Sequence, residues 1–148
     1  MSGSATTDTI VGRVMIVDDD PIVSGMLGVT LEAAGHSVAE MESGGAALAS
    51  LATRPADALP EVLFVDIEMP GMNGYALCRQ LKADRCYAHI PVVFISSHDT
   101  LDDRITAYEA GGDDFVAKPF DAQEAAQKAA ICIRHHRKEV HSEVMRKS

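Results

Sequence analysis

Short apolar runs, each stopped by polar or turn-forming residues, recur along this chain. Val14-Met15-Ile16-Val17 runs into Asp18-Asp19-Asp20, and Val62-Leu63-Phe64-Val65 runs into Asp66. Pro91-Val92-Val93-Phe94-Ile95 ends in Ser96-Ser97, and Phe115-Val116-Ala117 ends in Lys118-Pro119. Runs of this length, rich in β-branched residues and lacking alternation, predict strands buried on both faces of a parallel sheet. His36 to Met41 is a weaker fifth strand.

Between the runs the apolar spacing becomes helical. Asp20-Pro21 supplies an acidic N-cap and a first-turn proline, Val23, Met26, Leu27, Leu31 and Ala34 form one face, and Gly35 stops the helix. Ser43 opens a helix through Ala47, Leu48 and Leu51, and a loop follows from Arg54 to Pro60. The turn Met69-Pro70-Gly71 precedes a helix from about Gly74 to Ala83. Leu101, Ile105 and Tyr108 mark the next helix and are read mostly as core, with Gly111-Gly112 closing it. Asp121 and Glu124 form a D-x-x-E capping pattern for a last helix whose face is Ala122, Ala125, Ala126, Ala129 and Ile133. That helix is expected to continue past Ile133 through Val140 and Val144. Five strands alternating with five helices predict an α/β doubly wound fold with right-handed crossovers.

At 148 residues the chain is expected to form one domain, with residues 1-11 disordered, 12-133 folded, and 134-148 a helical extension or linker. The net charge of −9 divides into +3 from Arg134 to Ser148 and −12 before it. An acidic body argues against direct nucleic-acid binding, and basic residues suit a helix C-terminus. No apolar stretch is long enough to span a membrane and no export signal is present, so a cytoplasmic location is expected. Cys78, Cys86 and Cys132 lack metal-site or disulfide spacing and are read as reduced packing residues. His135, His136 and His141 are read as exposed helix residues rather than a metal tract.

In a parallel sheet all carboxyl ends share one edge, and ligands bind in the crevice there. Carboxylates, a hydroxyl and an ammonium group therefore converge, a set suited to a divalent cation and a phosphoryl group. Three carboxylates with one lysine leave excess negative charge, so one carboxylate pKa should be raised until metal binds.

Four ordered segments carry a family resemblance: Ile16-Val17-Asp18-Asp19-Asp20-Pro21, the run from Val65-Asp66-Ile67-Glu68 to Gly74, Ile95-Ser96-Ser97, and Lys118-Pro119-Phe120. From about Arg13 to Ile133 the chain resembles the receiver domain of two-component response regulators. The resemblance implies a flavodoxin-like five-stranded sheet of order 2-1-3-4-5. It implies that Asp66 accepts a phosphoryl group from a sensor histidine kinase or phosphotransfer protein, and that Lys118 pairs with Asp66 and then with the phosphoryl group. Asp18, Asp19, Asp66 and the backbone carbonyl of Glu68 would bind Mg²⁺, with Mn²⁺ an alternative. Ser96 and Phe115 would be the switch pair, Glu68 and His98 the positions that tune phosphoryl lifetime, and Lys118-Pro119 a cis peptide. The responsive surface would be Thr100 to Ile133, acting on a partner or output domain. Such a domain catalyses its own aspartyl phosphorylation and dephosphorylation without being a metabolic enzyme. The extension resembles linkers that join receivers to output domains or dimerise them, so a homodimer, a stand-alone chain and a piece of a longer protein all stay open.

Two other classes compete. Asp66-Ile67-Glu68 resembles the nucleophile-x-acid pattern of haloacid-dehalogenase-type phosphatases, but their nucleophile lies on the first strand and this chain lacks length for a capping domain. A receiver that never phosphorylates, serving as a docking module, is disfavoured by the intact acidic pair, acceptor, hydroxyl and lysine. A dinucleotide-binding site is excluded by the absence of a glycine-rich turn after the first strand.

Overall fold

A computed structural model describes residues 10–147. Of the expected disordered segment, residues 1–9 lie outside the described residues. The strands are β1 (Arg13–Val17), β2 (Ser37–Met41), β3 (Val62–Asp66), β4 (Val92–Ser96) and β5 (Asp114–Ala117). The helices are α1 (Pro21–Ala33), α2 (Gly44–Ala52), α3 (Gly74–Lys82), α4 (Leu101–Glu109) and α5 (Ala122–Lys147), with a 3-10 turn at Ala56–Ala58. All neighbouring strands pair in parallel, in the order β2-β1-β3-β4-β5. This is the flavodoxin-like arrangement, and the doubly wound α/β expectation holds.

Alternate residues of each strand feed two cores, as the pleat requires. Met15, Val17, Leu63, Val65, Phe94 and Phe115 pack against α2, α3 and α4. Val14, Ile16, Val62, Phe64, Val93, Ile95 and Val116 pack against Leu27 and Leu31 of α1 and Ala125, Ala129 and Ile133 of α5. The small-residue face of α5 lets that helix lie close to the sheet. Phe64, Phe94 and Phe115 are fully buried, each contributing roughly 2–3 kcal/mol by burial.

Local signals explain the helix starts. Asp20 caps α1 by accepting from the Ile22 N–H at 3.0 Å, with Pro21 at the first helical position. Thr100 and Asp103 form a reciprocal capping box on α4. At α5 half of the expected box is present: Glu124 N–H donates to Asp121 Oδ1 at 3.0 Å, while the Glu124 carboxylate pairs instead with Lys128.

Five sequence expectations need correction. Ala122, read with the small-residue face of α5, is exposed, and Ala125, Ala129 and Ile133 carry that face. Leu101, Ile105 and Tyr108 are exposed, and α4 rests on the core through Ala107 and its C-cap Ala110. Met26 is also exposed, because α1 turns Ser24, Leu27, Gly28 and Leu31 inward and leaves Ile22, Met26 and Val29 as a second apolar stripe. Cys86 is exposed, whereas Cys78 and Cys132 are buried thiols whose pKa burial pushes up to about 11 and about 12. His136 is half-buried, with Nδ1 3.0 Å from the His89 carbonyl oxygen.

α5 runs unbroken to Lys147 and is fastened part-way along. Arg137 Nε and its guanidinium partner nitrogen donate to both Glu61 oxygens at 2.7 and 3.0 Å, and Arg137 also donates to the Val11 carbonyl oxygen at 2.6 Å. Glu61, just before β3, is buried.

Candidate functional site

Because the sheet is parallel, β1, β3, β4 and β5 all deliver their next side chains to one edge. Asp66 ends β3 and is only 2% exposed. Lys118, just past β5, donates from Nζ to Asp66 Oδ1 at 3.2 Å and lies 3.4 Å from Asp18 Oδ2. Asp18 and Asp19 follow β1, the first buried and the second exposed. Carboxylate oxygens of Asp18, Asp19 and Asp66 all lie within 4.8 Å of one another.

The charge is unbalanced. Asp18 Oδ1 accepts the Asp20 N–H at 2.9 Å, but the buried Oδ2 accepts no hydrogen bond from the described residues. Burial and the neighbouring Asp18 push the Asp66 pKa up to about 6, against the pull of Lys118 and with a further push from Glu68. Burial works against the charge on Lys118, yet Asp66 and Asp18 outweigh it and hold its pKa above the usual lysine value. A raised carboxylate pKa is what the clustered charges predict. An oxygen-only donor set, in which the buried Asp18 Oδ2 has the Lys118 ammonium 3.4 Å away but accepts no hydrogen bond among the described residues, fits a hard cation such as Mg²⁺ or Mn²⁺.

The loop after β3 is held tightly. The Glu68 N–H donates to Asp66 Oδ1 at 3.3 Å, Gly71 takes a positive φ of 77°, and Asn73 caps α3 by accepting from Ala76 N–H at 2.9 Å. A Cβ on Gly74 would lie 2.6 Å from the Asp66 carbonyl oxygen, so α3 begins against the peptide of Asp66 itself.

Ser96 ends β4, is 1% exposed, and donates to Glu68 Oε2 at 2.6 Å. His98 is exposed, with its N–H on Ser96 Oγ at 3.0 Å and its Nδ1 3.3 Å from Glu68 Oε2. Phe115 points inward beneath Arg104, whose guanidinium carbon lies 4.8 Å from the ring centroid. The Lys118–Pro119 peptide is cis. The structure thus gathers Asp18, Asp19, Asp66 and Lys118 into one cluster and Glu68, Ser96 and His98 into a second beside it. Phe115 is set apart in the core.

The second cluster and Arg104 were missed as partners in the sequence, where Glu68 and Ser96 stand 28 positions apart. The exposed stripe of α1 did have a signal: Ile22, Met26 and Val29 repeat at helical spacing beside the buried face, leaving α1 apolar on two sides.

The family described as response regulator receiver domain matches residues 14–130. The chain belongs to this family. Receivers of this kind take phosphoryl groups from histidine kinases and regulate output domains. Over 124 residues this receiver is 32% identical to the DNA-binding dual master transcriptional regulator RpaA of Synechocystis, covering 82% of this chain and 49% of that protein. Over 128 residues it is 37% identical to the DNA-binding transcriptional regulator NtrC of Salmonella typhimurium, covering 86% of this chain and 26% of that protein. The receiver therefore spans half or less of the length of these relatives. A solved putative response regulator from Chloroflexus aurantiacus superposes with a TM-score of 0.76 at 31% identity, covering 82% of this chain and 97% of that one. The expectation of no nucleic-acid contact draws no support from relatives named as DNA-binding regulators; the acidic surface bears on this domain alone. Among the described residues no helix is long and apolar enough to cross a membrane.

Proposed function

We propose that this receiver is a phosphorylation-operated switch in which Asp66 accepts a phosphoryl group from a sensor histidine kinase or phosphotransfer protein. The observation that carries this reading is the buried Asp66 carboxylate, in reach of one ammonium and crowded by Asp18 and Asp19. In the transfer an Asp66 oxygen attacks phosphorus, the bond from phosphorus to the donor's imidazole nitrogen breaks, and that nitrogen keeps the electron pair. Lys118 then redirects its hydrogen bond from the carboxylate to a phosphoryl oxygen. Asp18, Asp19, Asp66 and the backbone carbonyl of Glu68 would hold Mg²⁺, which when bound neutralises carboxylate and phosphoryl charge.

Ser96 and Phe115 act as the switch pair, and Glu68 and His98 set phosphoryl lifetime. The added phosphoryl charge of roughly −1.5 to −2 biases the surface from Thr100 to Ile133, where exposed Leu101, Ile105 and Tyr108 offer a partner apolar contact. The donor docks beside the site, in the groove of about 780 Å³ lined by Ile22, Met26 and Val29 of α1 and by Lys118, Pro119 and Phe120. The domain works in the cytoplasm and passes its signal to an output domain or partner protein. The test is intact mass after acetyl phosphate treatment, with and without Mg²⁺, of the wild type and Asp66→Asn. A labile, metal-dependent adduct absent from the variant is expected. No adduct on folded wild type would leave a docking module, and phosphate release without accumulation would favour a phosphatase.

A further inference from the structure

Ser96 has one hydroxyl proton, and that proton is already in use. Ser96 Oγ donates to Glu68 Oε2 at 2.6 Å while accepting the His98 N–H at 3.0 Å. A hydroxyl donates once, and a hydrogen bond to a carboxylate is among the stronger ones in a protein. A phosphoryl group on Asp66 presents three acceptor oxygens. Two donors near it, Lys118 Nζ and the Glu68 N–H, already address Asp66 Oδ1. Ser96, buried at the end of the strand beside β3, is the neighbouring side chain aimed elsewhere. Its hydroxyl serves Glu68 or a phosphoryl oxygen, not both.

We propose that Glu68 is a positioning residue whose carboxylate holds the Ser96 hydroxyl away from Asp66 and so opposes phosphorylation. The inference rests on Asp66 being the phosphoacceptor, and it gives the Glu68 effect a sign. The Glu68 carboxylate lies with Ser96 and His98 and stands outside the cluster of Asp18, Asp19 and Asp66. His98 adds a second contact to the same oxygen, which keeps the carboxylate turned toward β4. A Glu68 acting only as a negative charge would repel the phosphoryl group whether or not residue 96 carries a hydroxyl. A Glu68 acting through Ser96 would not.

The experiment is a double-mutant cycle of wild type, Glu68→Ala, Ser96→Ala and the double variant. In metal-free protein, urea unfolding is expected to show coupling between the two substitutions; strict additivity overturns the contact. With Mg²⁺ present, beryllofluoride serves as a phosphoryl mimic on the aspartate. Its affinity is expected to rise about ten-fold in Glu68→Ala and to change by less than about two-fold when the same substitution is made on Ser96→Ala. A gain that persists without the Ser96 hydroxyl overturns the proposal in favour of charge repulsion, and no gain in Glu68→Ala overturns it directly. Glu68→Gln, which keeps an acceptor but no charge, is expected to fall between wild type and Glu68→Ala. If no protein binds beryllofluoride and Asp66 takes no acetyl phosphate adduct, the phosphoacceptor reading has failed and the proposal with it. That result differs visibly from binding that occurs but ignores Ser96.

Discussion

Glu61 and Asp66 stand at opposite ends of β3, both buried, and their surroundings treat them in opposite ways. Burial works to raise the Glu61 pKa, but the Arg137 fork and the Arg13 N–H at 3.2 Å overcome it and hold the carboxyl below its ordinary value. At Asp66, burial and Asp18 prevail over a single shared lysine, and the pKa rises to about 6. One carboxylate has more cationic partners than it needs; the other has fewer. A strongly perturbed acid in a cleft is a functional candidate, whereas a fully paired one is scaffold. Here the two cases lie at the two ends of one strand, Glu61 just before it and Asp66 its last residue.

The largest expected effect breaks the scaffold end. Arg137→Ala leaves the Glu61 carboxylate buried with Arg13 alone and is expected to cost about 2 kcal/mol in urea unfolding, with the acetyl phosphate adduct on Asp66 retained. A loss under about 0.5 kcal/mol would reduce the pair to an ordinary surface contact.

At the other end, supplying the missing positive charge should stabilise the protein. Mg²⁺ at ten times its Kd is expected to add about 1.4 kcal/mol to the wild type and much less to Asp18→Asn, measured by thermal unfolding.

Asp66→Asn removes the crowded charge and is expected to stabilise metal-free protein by about 1 kcal/mol at pH 7. Its pH dependence has a definite sign. Folded Asp66 binds its proton more tightly than the unfolded chain does, so its contribution is greatest at low pH and is lost as pH rises from about 4 through about 6. The advantage of Asp66→Asn should therefore shrink on going from pH 7 to pH 5; an advantage constant across that range would place the strain elsewhere. Glu61 runs the opposite way, stabilising above the unfolded carboxyl pKa and losing that contribution as pH falls through its lower folded value.

The smallest effect belongs to the surface. Leu101→Ser, at a residue 73% exposed, should change stability by less than about 0.5 kcal/mol.

Much of this contrast was legible in part. The strand ends that carry Asp18, Asp66, Ser96 and Lys118 could be read because buried parallel strands are apolar on both faces and their carboxyl ends share an edge. Helical spacing identified α4 but could not say which side of it meets the sheet. Two small residues, Ala107 and Ala110, make that contact, and the larger Leu101, Ile105 and Tyr108 are left outside. The pairs Glu68–Ser96 and Glu61–Arg137 were illegible for another reason. They join positions 28 and 76 apart, and such distances are set by strand order and helix packing rather than by any local pattern.

The fastening of α5 at Arg137 also gives that helix a mechanical character. From Ala122 to Arg137 is about 22 Å of helix and from Arg137 to Lys147 about 15 Å. Ala125, Ala129 and Ile133 bed the first part on the sheet, so Arg137 is a clamp near the end of a supported beam rather than a pivot. The stretch beyond the clamp is an overhang, and only a tilt of the whole bedded helix would move its tip.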